Sequence, residues 1–250
     1  MRIISHRARH EDFSHPDNTL PAVQSIWDSG LTGVEIDVWV TNDNKIVLSH
    51  DPVIKGQNGS KWRIKDTNCD FLLSINLGKG IKPALLSQVL LTLTNSSIMF
   101  IEIKCGKEIV PLLETELSKA RLGPEQIFFI GFIDKPRSFS TMLKIADTFR
   151  TFDIYALFGK SLLQIRRLLA MKDALPDYIV KEAEAVHAKG IDIPIQLASE
   201  KIFKHAHKHG LSCHVWNVLN PKHVKWLQSL GVDTVTTDKP KRLSQQTYSE

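Results

Sequence analysis

At 250 residues, 42% hydrophobic and 24% charged, the chain can bury a sizeable core and is not the composition of a disordered segment. A net charge of +5, spread without a dense Lys/Arg block, argues against a nucleic-acid surface and suits an anionic small substrate. Cys69, Cys105 and Cys213 show no CxxC or Cys/His ligand spacing, so neither a disulfide framework nor a zinc finger is suggested. With no leader-like start and no run long enough to span a membrane, the expectation is a cytoplasmic protein without stable membrane insertion.

In chain order, strand-like runs fall at 2–7, 34–40, 45–51, 98–104, 127–132, 152–158, 177–183, 214–218 and 232–238. Between them, helical patterns cover 19–30, 108–123, 138–149, 160–173, 198–210 and 220–231, several closing on glycine (Gly30, Gly123, Gly210, Gly231). The alternation predicts an α/β single domain over 1–250, a (β/α)8 TIM barrel, with an irregular rim insertion near 52–82 and a frayed tail over 241–250. A doubly wound sheet is the alternative, but no glycine-rich nucleotide loop follows the first strand. The candidates exceed the eight strands of such a barrel by one, so either 152–158 or 177–183 is expected to lie outside it.

The polar residues concentrate at expected strand ends. His6 and Arg7 end the first strand, Glu35 and Asp37 lie late in the second, and His50 and Asp51 end the third. Glu102 and Lys104 end the fourth, Trp216 and Asn217 lie in a later strand, and Asp238 ends the last. In a barrel these ends converge on one mouth. Glu35/Asp37 and Glu102/Lys104 are i,i+2 pairs, so each pair projects to one face while Val34, Ile36, Val38, Ile101 and Ile103 face the other way. Three crowded carboxylates repel. Two arrangements relieve that: a divalent metal on Glu35, Asp37 and Glu102, for which an all-oxygen set favours Mg²⁺ or Ca²⁺, or buried salt bridges to Arg7 and Lys104. His6 and His50 suit an acid–base pair, and with Arg7 and Lys104 the set suits a phosphoryl group. The histidine run HAHKHG at 205–210 places His205 and His209 at i,i+4 and reads as a solvated helix face.

Taken together, ISHRA, HPDNTL, GVEIDVWVTNDNKIVLSHD, IEIK, VWNV and GVDTVTTDKP resemble the glycerophosphodiester phosphodiesterase family, from Ile4 to Pro240. The resemblance implies a barrel-shaped, metal-dependent enzyme that hydrolyses glycerophosphodiesters to glycerol 3-phosphate and an alcohol, through a cyclic phosphate in a commonly proposed route. It assigns His6 and His50 as catalytic and Glu35, Asp37 and Glu102 as ligands of one divalent cation. Arg7, Lys104, Trp216 and Asn18 become contacts to phosphate or substrate. The chain departs from the family pattern at Ala8 for glycine, at Asp17 for glutamate, at Gly131-Phe132 for Ser-Phe, at Trp216-Asn217-Val218-Leu219 and in the loop after Asp51. Those departures leave two alternatives, a lysophospholipase D-like enzyme and a barrel that binds phosphodiesters without turnover.

Overall fold

The computed structural model describes residues 1–12, 14–120, 122–159 and 161–247. In chain order it contains β1 (Arg2–Ser5), α1 (Leu20–Asp28), β2 (Gly33–Val40), β3 (Ile46–Leu48), β4 (Val53–Lys55), β5 (Lys61–Arg63), α2 (Cys69–Leu72) and α3 (Leu86–Leu90). There follow β6 (Ile98–Ile103), α4 (Val110–Ala120), β7 (Ile127–Phe132), α5 (Pro136–Thr148), β8 (Asp153–Leu157), α6 (Leu162–Ala170) and α7 (Leu175–Ala185). The chain ends with β9 (Gly190–Pro194), α8 (Glu200–Lys208), β10 (Ser212–Trp216), α9 (Pro221–Ser229), β11 (Thr234–Thr237) and α10 (Pro240–Thr247).

The strands β1, β2 and β6 to β11 pair in parallel in the order β1-β11-β10-β9-β8-β7-β6-β2, and β2 returns to β1. This is the closed eight-stranded α/β barrel. At the closing seam, Ser5 pairs with Val34. A Cβ on Gly33 would stand 2.7 Å from the Ile3 carbonyl oxygen, so a side chain there would force the two strands apart. The outward faces of the strands pack against the helices in one large cluster, and Ile4, Ile98, Phe100, Ile130 and Tyr155 fill the interior.

Three expectations need correction. The run 45–51 does not supply a barrel strand: β3 pairs antiparallel with β2, Val38 opposite Leu48. The gap between β2 and β3 is too short for the crossover that a parallel pair needs. Of the pair 152–158 and 177–183, one lies outside the barrel as expected, but 177–183 is helix and not strand: it lies within α7, which buries Leu175, Ile179, Val180 and Ala183 on one face. The eighth strand is β9, which carried no expectation. The tail after Pro240 is also more ordered than expected: it forms α10 and buries Leu243 completely, while 248–250 lie outside the described residues. The rim insertion is partly regular, since β4 pairs with β5 and a small cluster of Val47, Ile54, Ile64, Cys69, Leu72 and Ile75 holds it. Among the described residues, no helix is long and apolar enough to cross a membrane.

Candidate active site

Strand register places Asp37 directly beside Glu102, and Glu35 beside the interior Phe100. Val34, Ile36 and Val38 are fully buried in the strand–helix layer, so alternation turns both acids of β2 inward. Glu35, Asp37 and Glu102 are buried, and each offers an oxygen within 4.8 Å of the others. Lys104 Nζ lies 2.5 Å from Glu102 Oε1 and 3.0 Å from Asp37 Oδ1, and Arg7 Nε lies 3.5 Å from Asp37 Oδ2. The Arg7 backbone N–H donates to Glu35 Oε2 at 2.8 Å.

These partners are distributed unequally. Burial opposes ionisation of Asp37, but Lys104, Arg7 and the Asn18 amide outweigh it and hold the carboxyl below its ordinary range. Burial pushes Glu35 well above the ordinary range, with Asp37 and Glu102 adding to the rise. Burial likewise pushes Glu102 up to about 7, against the pull of Lys104. Burial works against the charge of Lys104, yet Glu102 and Asp37 raise its pKa. Salt bridges therefore account for Asp37 and Lys104 and leave Glu35 unbalanced. Its Oε1 is buried with no hydrogen-bond partner. A hard divalent cation fits this donor set, because it would engage that oxygen and offset the surplus negative charge.

His6 follows β1 on a short turn in which Arg7 and Ala8 have φ of 55° and 54°. Its Nδ1 lies 2.7 Å from Asp238 Oδ1, and its Nε2 lies 4.0 Å from Glu35 Oε2. Asp238 is itself clamped. Asn217 Nδ2 donates to its Oδ2 at 2.7 Å, its own N–H donates to Asn217 Oδ1 at 3.1 Å, and Arg9 Nη1 lies 3.1 Å from Oδ1. His50 pairs through Nδ1 with Asp51 Oδ1 at 2.9 Å on a more exposed edge. Partial burial lowers its pKa, with Asp37 opposing the shift.

His6, Arg7, Glu35, His50, Glu102, Lys104 and Trp216 all line one cavity of about 710 Å³. Asn18 does not. Expected at the phosphate, it is 4% exposed and spends its amide on Asp37: Nδ2 donates to Oδ2 at 2.8 Å and Oδ1 accepts the Asp37 N–H at 3.0 Å. Asp17 pairs with the guanidinium of Arg9, with Nε 3.0 Å from Oδ1. Sequence reasoning missed Arg9, whose role depends on strand ends far apart in the chain. It also missed Asp192 on β9, which lines the cavity at 1% exposure with a buried Oδ1 that has no hydrogen-bond partner. An acid between two isoleucines was its only local signal.

The family model for the glycerophosphoryl diester phosphodiesterase family matches residues 6–242. A glycerophosphodiester phosphodiesterase of Bacillus altitudinis is 25% identical over 254 residues, covering 96% of this chain and 96% of that protein. Two solved structures share the fold. One is an Oleispira antarctica phosphodiesterase in complex with the product sn-glycerol-3-phosphate, with TM-score 0.81, 15% identity and coverage of 100% of this chain and 97% of that one. The other is the glycerophosphodiester phosphodiesterase of Thermotoga maritima, with TM-score 0.73, 22% identity and coverage of 97% and 96%. With a family match spanning nearly the whole chain and the acids and histidines gathered at one mouth, the chain belongs to the glycerophosphoryl diester phosphodiesterase family.

Proposed function

We propose that the chain hydrolyses glycerophosphodiesters to sn-glycerol 3-phosphate and an alcohol, with Glu35, Asp37 and Glu102 holding one Mg²⁺ or Ca²⁺. The carrying observation is the buried, unpartnered Glu35 Oε1 inside a cluster of three carboxylates, of which Glu35 and Glu102 line the cavity shared with His6 and His50. When bound, the ion supplies Lewis-acid polarisation of the phosphoryl oxygens. Asn18 positions Asp37, and Lys104 pairs with both Asp37 and Glu102 and favours their ionised forms. The Arg7 N–H orients Glu35, and the guanidinium of Arg7 at the cavity wall neutralises phosphate.

His6 and His50 move the protons. One imidazole takes the proton of the glycerol hydroxyl next to the diester as that oxygen attacks phosphorus. The other donates a proton to the departing alcohol oxygen. Water then opens the cyclic phosphate with the two roles exchanged. Asp238 at Nδ1 fixes the His6 tautomer and leaves Nε2 for this exchange. The test is release of glycerol 3-phosphate from glycerophosphocholine and glycerophosphoethanolamine by wild type and Glu35→Gln. Loss by about 100-fold or more is expected for the variant, in line with removal of a charge-stabilising group; full activity in Glu35→Gln would contradict the reading.

A second reading, a lysophospholipase D-like specificity, is favoured by the apolar wall of Trp39, Phe132, Leu157 and Trp216, which an acyl chain could follow. Comparing lysophospholipids with their deacylated forms decides it, and strong preference for the deacylated forms removes it.

A further inference from the structure

In the histidine run at the end of α8, the rings of His205 and His209 lie side by side with centroids 4.8 Å apart, yet each is taken by its own carboxylate. His205 Nε2 lies 2.9 Å from Asp177 Oδ1, and His209 Nδ1 lies 2.9 Å from Glu184 Oε1. Each therefore ties α8 to α7 through a separate carboxylate. The histidine between them, His207, belongs to a different group. Its Nε2 lies 3.9 Å from Asp233 Oδ2, and His207, Cys213 and Asp233 offer donor atoms that all lie within 4.8 Å of one another. We propose that His207, Cys213 and Asp233 bind a borderline-soft divalent transition ion, Zn²⁺ foremost, at the N-terminal face of the barrel.

The three residues come from three elements that the fold brings together there. His207 is near the end of α8, Cys213 is the second residue of β10, and Asp233 immediately precedes β11. The mouth lies at the opposite ends of the same strands, where Trp216 ends β10 and Asp238 follows β11. Strand alternation turns Cys213 outward, because its neighbour His214 faces the interior and contacts Phe100. Cys213 and Asp233 are already in fixed register. The Cys213 N–H donates to Asp233 Oδ2 at 2.7 Å, and the Asp233 N–H donates to the Cys213 carbonyl at 3.0 Å.

The ion can reach the buried sulfur from the solvent side, since His207 and Asp233 are 36% and 48% exposed. Zinc–ligand distances of about 2.0–2.3 Å bring donors within roughly 3.5 Å of one another, so the His207 side chain must close by about 1 Å. Its position on an exposed helix end permits that movement. A sulfur, nitrogen and oxygen set selects zinc-like ions over Mg²⁺ and Ca²⁺, and water completes the tetrahedron. Cys213, fully buried in the metal-free chain, enters as a thiol. Its proton passes to solvent as the sulfur–metal bond forms, and the thiolate and Asp233 together balance the dication.

The test titrates cobalt(II) into the metal-free full chain and follows the thiolate-to-cobalt charge-transfer band. A saturable band is expected in wild type, displaced by Zn²⁺ and retained in Glu35→Gln, whose altered site is at the mouth. The band should vanish in Cys213→Ser, and cobalt affinity should fall by at least about tenfold in the exposed-helix variant His207→Ala. In parallel, Zn²⁺ should raise the Tm of wild type and not that of His207→Ala. Absence of a thiolate band in wild type at millimolar cobalt, or a band and Tm shift unchanged in His207→Ala, would overturn the proposal.

Discussion

His6 and His50 stand at the same mouth, each with Nδ1 beside an aspartate, yet their surroundings differ. The partner of His6, Asp238, is held by Asn217 in both directions and by Arg9, and its side chain is 23% exposed. The partner of His50, Asp51, is the next residue in sequence, has a 55% exposed side chain and has a weak second partner in Lys55 at 4.0 Å. His6 is therefore fixed by a network closed across the ends of β1, β10 and β11, whereas His50 sits on an exposed edge of short-range contacts. A fixed imidazole can hold one tautomer through the reaction; an exposed one can follow the substrate.

The comparison can be broken in four ways. The largest effect is expected from the imidazoles themselves: His6→Ala and His50→Ala should each lower kcat by about 100- to 10,000-fold, measured as glycerol 3-phosphate release. Retained activity in either variant would remove that histidine from the chemistry. Next come their supports. Asp238→Asn should cost about 10- to 100-fold, the range for groups that orient a reacting residue, while Asp51→Asn should cost only a few-fold. Equal losses would mean that the network around Asp238 adds nothing to what the exposed Asp51 gives His50.

A third histidine extends the series to complete burial. His214 lies between Thr234 Oγ1 at 2.5 Å and Thr236 Oγ1 at 2.8 Å, and burial lowers its pKa from the ordinary 6.5 to about 3. The unfolded chain binds a proton near 6.5 that the folded chain refuses until about 3, so this stability is full above 6.5 and is lost as pH falls through that window. Neighbouring Asp192, raised by burial and by Glu102, works in the opposite direction. Denaturant unfolding should therefore show a shallower acid-side loss in His214→Gln than in wild type. Identical slopes would mean that the folded state protonates His214 readily. The smallest effect concerns the turn that carries His6. Ala8 has a φ of 54°, where an L side chain is strained, so Ala8→Gly should add about 1 kcal/mol of stability. A decrease would show that packing of the buried Ala8 methyl outweighs the strain.

Much of the mouth was legible because strand alternation converts spacing into direction. Glu35, Asp37, Glu102 and Lys104 could be placed on one face from i,i+2 spacing alone, and the barrel followed from strand–helix alternation. What stayed hidden was non-local. The strand β9 is five residues long, opens on Gly190, which passes the ring of Tyr155, and ends on Pro194, so little of it reads as a strand. The Tyr178-Ile179-Val180 run favours strand locally, and only its packing against the barrel makes it helix. The direction of β3 depends on its pairing partner, although the short gap after Val40 held a signal for a hairpin. Asn18 showed its amide without its target: its reciprocal bonds to Asp37 join residues that the sequence separates. The family resemblance supplied roles for the residues of the mouth, and the geometry adds that Asn18 is hydrogen-bonded to Asp37.

The central claim is that the surplus negative charge around Glu35 exists to hold a divalent cation used in phosphodiester hydrolysis. The direct measurement is glycerol 3-phosphate release from glycerophosphocholine or glycerophosphoethanolamine by the full chain, before chelation, after chelation and dialysis, and after Mg²⁺ or Ca²⁺ is returned. Loss of turnover on chelation and recovery with one of the two ions is the expected result; turnover undiminished in the stripped protein would contradict it.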